Sequence, residues 1–185
     1  MNSFVVGDHH KCIGCGACVI ACAAAHLDGE ILDAQRCDTP FTPRVTLVYT
    51  PEVTMPVQCR QCEGAPCAKA CPENAISFKN GSVQIESELC VGCKLCMYVC
   101  PFGAMRVAPR PENEAQQGQG NLEVADKLPY VAQKCDLCTQ RENGPACVQV
   151  CPAQALQLVS PDRMIHSVRD RRKAAVDRMP SFTRI

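Results

Sequence analysis

Apolar residues in this chain come in short bursts, each cut off by Gly, Pro or Asn before it can grow into a long element. Phe4 to Val6 reads as a strand, Val19 to His26 as an Ala-rich helix, and Val45 to Tyr49 as a strand within a Pro-punctuated segment. Ala75 to Phe78 and Val83 to Ile85 flank Lys79-Asn80-Gly81-Ser82, and strand-like runs around an Asn-Gly pair predict a hairpin. Met105 to Val107 and Ala155 to Leu158 are further strand-length pieces. Residues 108–129 are rich in Pro, Gly, Gln and Glu, the composition of a solvated loop. Ser160 and Pro161 predict a helix start, an N-cap followed by proline at the first helical position. That helix carries Ile165 and Val168 among Arg163, Arg169, Arg171, Arg172, Lys173 and Arg178, and reads either as a solvated basic tail or as a docking element. No apolar run approaches the length of a membrane span.

Composition changes this picture. Of 185 residues 46% are apolar, yet there is no Trp, five Phe and three Tyr, against seventeen cysteines. That is about 9% of the chain, a density of disulfide scaffolds or metal-rich proteins. With few large side chains for a core, groups ligated by cysteine are expected to supply much of the folding free energy, and the chain without them to fold poorly. The start, Met1-Asn2-Ser3-Phe4-Val5-Val6-Gly7-Asp8, has no basic n-region and no long apolar h-region. It predicts no secretory signal and a reducing, cytoplasmic setting, where clustered cysteines are ligands before they are disulfides. Zero formal net charge gives no electrostatic case for nucleic-acid binding. There is no Gly-rich nucleotide fingerprint and no set of nucleophile, base and orienting group, so no catalytic residue is expected. His9, His10, His26 and His166 lie outside any H-E-x-x-H pattern and read as non-ligands.

Sixteen cysteines fall into four groups of four, each ending in C-x3-C. Cys90, Cys93, Cys96 and Cys100, followed by Pro101, form the run C-x2-C-x2-C-x3-C-P, which holds one cubane iron-sulfur cluster and lends a ligand to a second. Three thiolates on a tight loop can wrap three corners of a cube, while the fourth, on the helical turn that follows, points away. Cys12, Cys15, Cys18 and Cys22 repeat the spacing with Ala23 in the place of proline. Cys59, Cys62, Cys67 and Cys71 have a longer middle gap before Pro72, and Cys135, Cys138, Cys147 and Cys151 a longer one still before Pro152. Structural zinc also uses four cysteines but needs neither a third at x2 nor the C-x3-C-P ending. Four [4Fe-4S] clusters use all sixteen thiolates with none left over.

The exchange of fourth ligands predicts the pairing. Cys59, Cys62 and Cys67 share a cluster with Cys100, and Cys90, Cys93 and Cys96 share one with Cys71. The outer groups then pair with each other: Cys12, Cys15 and Cys18 with Cys151, and Cys135, Cys138 and Cys147 with Cys22. The expected fold is α+β, a fourfold repeat of ligand loop, short helix and short strand. It is arranged as two ferredoxin-like units, one inserted into the other, with a C-terminal helix. Residues 1–26 and 130–160 make the outer unit, 27–58 an insertion, 59–107 the inner unit, 108–129 a linker and 161–185 the basic tail. Cys37 has no partner group and reads as a small structural residue. Arg60, Lys94 and Lys134 adjoin ligand cysteines, where they either raise cluster potentials or are simply solvated.

Beyond the spacing there is a resemblance along nearly the whole chain. Met1-Asn2-Ser3-Phe4-Val5-Val6 before Cys12-Ile13-Gly14-Cys15, the phrase Cys59-Arg60-Gln61-Cys62-Glu63-Gly64-Ala65-Pro66-Cys67, and Lys134-Cys135-Asp136-Leu137-Cys138 with Gly144-Pro145-Ala146-Cys147 resemble the four-cluster ferredoxin-like electron-transfer subunits. Within that family the chain is most similar to the small subunits of formate hydrogenlyase and hydrogen-dependent carbon dioxide reductase and to the HydN type. The gap in the last group, shorter than is common in the similar β subunits of dimethyl sulfoxide and polysulfide reductases, favours this branch over them. The resemblance implies an electron wire between a molybdopterin- or tungstopterin-dependent formate dehydrogenase subunit and a hydrogenase or another iron-sulfur subunit, and supports the pairing above. Two other roles stay open: a free soluble polyferredoxin, and a scaffold whose C-terminal helix drives oligomerisation.

Overall fold

The computed structural model describes residues 1–27, 41–110 and 130–179. Cys37, much of the 27–58 insertion, most of the 108–129 linker and the last residues of the tail lie outside them. In chain order the elements are β1 (Phe4–Gly7), α1 (Ala17–Ala24), β2 (Thr46–Tyr49), β3 (Thr54–Val57), α2 (Pro66–Lys69), β4 (Ile76–Lys79), β5 (Ser82–Ile85), a 3-10 turn (Ser87–Leu89), α3 (Leu95–Tyr98), β6 (Arg106–Pro109), β7 (Tyr130–Gln133), α4 (Ala146–Gln149), β8 (Leu156–Val159) and α5 (Pro161–Asp177).

Among the described residues the strands pair into four antiparallel ribbons: β1 with β8, β2 with β3, β4 with β5 and β6 with β7. The β4–β5 hairpin turns through Asn80 and Gly81, both at positive φ (51° and 68°), as its Asn-Gly pair predicts. The β1–β8 ribbon joins the two ends of the cysteine-bearing chain, with Val5 opposite Leu158. Two strands depart from the sequence expectation. Pro56 sits within β3, opposite Leu47, a place proline tolerates because a two-stranded ribbon leaves one edge without ladder bonds. Tyr130 to Gln133, at the end of the polar stretch, becomes a strand by pairing with β6. The first helix starts at Ala17 instead of Val19, because Gly16 at φ 75° turns the chain directly into it.

Ribbons this short bury little, and the described residues form two small cores. One gathers Ile76, Val83, Met105, Val131 and Ala132 around Cys90 and Cys96. The other gathers Val5, Leu137 and Leu156 around Cys18 and Cys147. Between them runs a polar seam. Asn2 Nδ2 donates to the Gln61 carbonyl (2.9 Å), Gln58 Nε2 to the Val5 carbonyl (2.8 Å), and Gln61 Nε2 to the Cys135 carbonyl (2.7 Å). Asn2, Gln58, Gln61 and Lys134 are all buried, and each buried polar group has to be paid back by such bonds. Ser160 Oγ accepts from the Arg163 amide (3.3 Å) and so caps α5, a helix with no buried residue.

Candidate metal centres

Each cysteine group begins with the same backbone feature. The residue before its second cysteine has a positive φ: Gly14 (70°), Gln61 (51°), Gly92 (75°) and Leu137 (63°). A left-handed residue at this point curls successive amides toward one centre, a concavity suited to an anionic group. Glycine is needed at Gly14 for a second reason, since a Cβ there would lie 3.2 Å from both Tyr49 Cε1 and Thr54 Cγ2. Tyr49 Oη donates to the Gly14 carbonyl (2.9 Å), which fastens the β2–β3 ribbon over the first loop.

The structure brings the cysteines together across the groups. Cys59, Cys62, Cys67 and Cys100 line one cavity, Cys90, Cys93, Cys96 and Cys71 a second, and Cys12, Cys15, Cys18 and Cys151 a third. The three are close in size, each about 20 Å³. In the fourth set, Cys22 acts electrostatically on both Cys138 and Cys147, and Cys147 acts on Cys135.

Burial, and after it the neighbouring thiols, push these groups up: Cys96 to about 11 and Cys147 to about 12, with Cys135, Cys18, Cys62, Cys67 and Cys138 raised as well. Thiolates so close and so dry cannot coexist without cations between them, and binding iron there must release protons. Backbone amides already point at sulfur: Arg44 N to Cys22 Sγ (3.2 Å), Ala155 N to Cys151 Sγ (3.2 Å), Gln61 N to Cys59 Sγ (3.4 Å) and Ala132 N to Cys90 Sγ (3.5 Å). The donor set, all sulfur with amide support, fits [4Fe-4S] clusters, which would supply one-electron storage at each centre.

Packing orders the groups: Cys18 and Cys147 share one core, Cys67 packs against the core that holds Cys96, and Gln61 Nε2, beside Cys62, donates to the Cys135 carbonyl (2.7 Å). The sets therefore abut in the sequence Cys12 set, Cys135 set, Cys59 set, Cys90 set. The two end sets each contain an exposed cysteine, Cys15 and Cys93.

Several residues around the centres were not legible in the sequence. Asp136 accepts from Arg44 Nη1 (2.6 Å) and from the Cys138 amide (3.0 Å), and pairs with His26 Nε2 (3.1 Å). His26 Nδ1 lies 2.7 Å from the Cys22 carbonyl. Burial disfavours both charges, yet the hydrogen bonds to Asp136 and Cys22 raise His26 to about 9, and His26 with Arg44 holds the Asp136 carboxyl well below the usual range. His26, Asp136 and Cys138 also place their donor atoms within 4.8 Å of one another, but Asp136 is already committed to Arg44 and His26 to Cys22. The only sequence signal was Asp136 lying between two ligand-spaced cysteines; its partners are distant in the chain. Of the three cations beside cysteines, Lys134 is buried, Arg60 half-buried and Lys94 exposed. No helix among the described residues is long and apolar enough to cross a membrane.

Comparisons with known proteins agree with this chemistry. A 4Fe-4S dicluster domain matches residues 58–104, a second matches residues 89–156, and a 4Fe-4S binding domain matches residues 9–25. The electron transport protein HydN of Escherichia coli (strain K12) is 41% identical over 177 residues, covering 95% of this chain and 99% of that protein. Hydrogenase-4 component A of the same organism is 38% identical over 194 residues, covering 95% of this chain and 91% of that one. A longer protein of that strain, AegA, is 43% identical over 160 residues; the match takes in 86% of this chain and 22% of AegA.

Proposed function

This chain belongs to the HydN-type family of ferredoxin-like electron-transport iron-sulfur proteins, and from that premise we propose that it passes single electrons between a formate dehydrogenase catalytic subunit and a hydrogenase or another redox partner. It binds several [4Fe-4S] clusters; in this reading there are four, held by the sixteen cysteines in the exchanged pairs set out above. When bound, the clusters supply the one-electron carriers. The protein supplies thiolates at fixed spacing, amide donors to sulfur and exclusion of water, which together set potentials.

The observation that carries the reading is the line of four cysteine sets, joined by two shared cores and the Gln61–Cys135 bond, with an exposed cysteine at each end. A line with two accessible ends suits transfer between two different partners, whereas a free carrier needs one. The β1–β8 ribbon supports the division into an outer unit, 1–26 with 130–160, around an inner unit of 59–107; β7 is shared, since it pairs with β6. A reducing, cytoplasmic setting is part of the same reading.

Anaerobic co-purification of the tagged protein tests it. The expected result is a co-eluting pterin-dependent formate dehydrogenase subunit, with formate bleaching the cluster absorbance of the complex. An iron-replete monomer that formate leaves oxidised under every partner condition would overturn the wire and leave the free carrier. A scaffold role is favoured by one feature: α5 exposes Ile165 and Val176 along with its arginines.

A further inference from the structure

Lys134 is 3% exposed. Its Nζ donates to the Val83 carbonyl, to the Cys135 carbonyl (3.0 Å) and to Gln61 Oε1 (3.4 Å). Three acceptors use all three protons of an ammonium, whereas a neutral amine has only two to give. No carboxylate among the described residues pairs with it: Asp136, two residues on, is taken by His26 and Arg44, and Glu63 and Glu86 pair with the amino terminus and Lys79. A buried cation without a counter-ion is strongly disfavoured, so its compensating charge has to lie elsewhere.

The surroundings show where. Lys134 lines the cavity of Cys59, Cys62, Cys67 and Cys100, acts electrostatically on Cys62 and Cys67, and is bonded to the carbonyl of Cys135, which belongs to the neighbouring set. It stands where the two middle sets of the line meet. Gln61 fixes it there: its Oε1 accepts from the Val83 amide (2.9 Å) as well as from Lys134, and its Nε2 donates to the Cys135 carbonyl (2.7 Å). Exposed Lys94, stacked 5.8 Å over Tyr130, has solvent to screen it and no such position.

We propose that Lys134 is a fixed positive charge built into the junction between the two middle cysteine sets, with the thiolate-ligated clusters as its counter-ions, and that it raises the reduction potential of both. The inference rests on the function proposed above. Adding an electron makes a cluster more negative, and a buried ammonium nearby favours that state through a medium that screens poorly. The middle of the line is thereby levelled for an electron crossing from one ferredoxin-like unit to the other. Lys134 is a tuning residue and takes no part in ligation.

The experiment is an anaerobic redox titration followed by electron paramagnetic resonance on the whole, cluster-loaded protein, with iron content measured on every sample. K134M removes the charge, Q61E neutralises it while leaving the lysine in place, and K134R keeps it. The expected result is a downward shift of two reduction steps in K134M and Q61E, the remaining steps held, and K134R close to the parent. Because the junction is buried, the shift should persist at high salt. The inference is overturned if, at full iron content, Q61E leaves every step in place or K134R falls as far as K134M; should K134M lose iron, Q61E decides alone. A parent protein lacking clusters would bring down the underlying function instead, whereas unmoved steps with full iron bring down this inference only.

Discussion

Asp136 shows how much rests on single side chains in a protein with almost no aromatic core. Its carboxylate holds His26, Arg44 and the Cys138 amide at once, and through them both ends of the set formed by Cys22, Cys135, Cys138 and Cys147. Asp136→Asn leaves two cations facing each other and is expected to cost about 2 kcal/mol. The measurement is the rate at which cluster absorbance is lost in guanidinium, which should rise about thirtyfold; an unchanged rate would contradict the role. The sign of the pH effect follows from His26, raised to about 9: its contribution is complete below its ordinary value, near 6.5, and disappears as pH rises through 9. Glycine offers a second test. Gly14 and Gly16 both have positive φ, but only Gly14 has neighbours where a Cβ would go. Gly16→Ala should cost about 1 kcal/mol and Gly14→Ala about 2, read as the difference in their iron retention on heating; equal losses would contradict the crowding at Tyr49 and Thr54. The cysteines were legible as candidate ligands because cluster chemistry sets their spacing locally, within 11 to 17 residues. The Asp136 and Lys134 networks were not, because apart from the adjacent Cys135 carbonyl and Cys138 amide their partners lie from 51 to 110 residues away.

At the scale of elements, local chemistry was readable wherever it closed locally. The Asn80-Gly81 hairpin and the Ser160-Pro161 helix start stand where their residues predict. β3 and β7 were missed for a physical reason: each is a strand only because another segment pairs with it, against a proline in one case and a polar neighbourhood in the other. The β1–β8 ribbon is held by Leu156, 3% exposed and packed with Val5 and Leu137. Leu156→Ala should cost about 3 kcal/mol and release iron from the Cys12 and Cys135 sets first; simultaneous loss from all four would contradict the division into two cores. For α5 the expectation is the opposite. It buries no residue, so removing 161–185 should leave the visible spectrum and iron content intact while reducing the mass of any assembly seen by light scattering. Loss of iron would show that the helix stabilises the fold, and unchanged mass would remove its docking role.

For the whole molecule, two small cores meet at a polar seam of Asn2, Gln58, Gln61 and Lys134. Neither core is large enough to be rich in packing energy, since their largest members are Ile, Leu and Met. Ligation therefore has to do much of the folding, and the metal-free chain should be compact only in part, with its seam bonds exchanging freely. The order of the four cysteine sets could not be read from spacing, which gives the members of each set but not which sets touch. That order depends on Gln61, beside Cys62, bonding to the Cys135 carbonyl and on Cys18 packing into one core with Cys147. The measurement that goes most directly to the central claim is iron and acid-labile sulfide per chain, with Mössbauer spectra, on anaerobically purified protein. The account predicts about sixteen of each per chain, all in cubane clusters, and negligible zinc. Zinc in the cysteine sites, or an iron content that fills only two of the four sets, would contradict it.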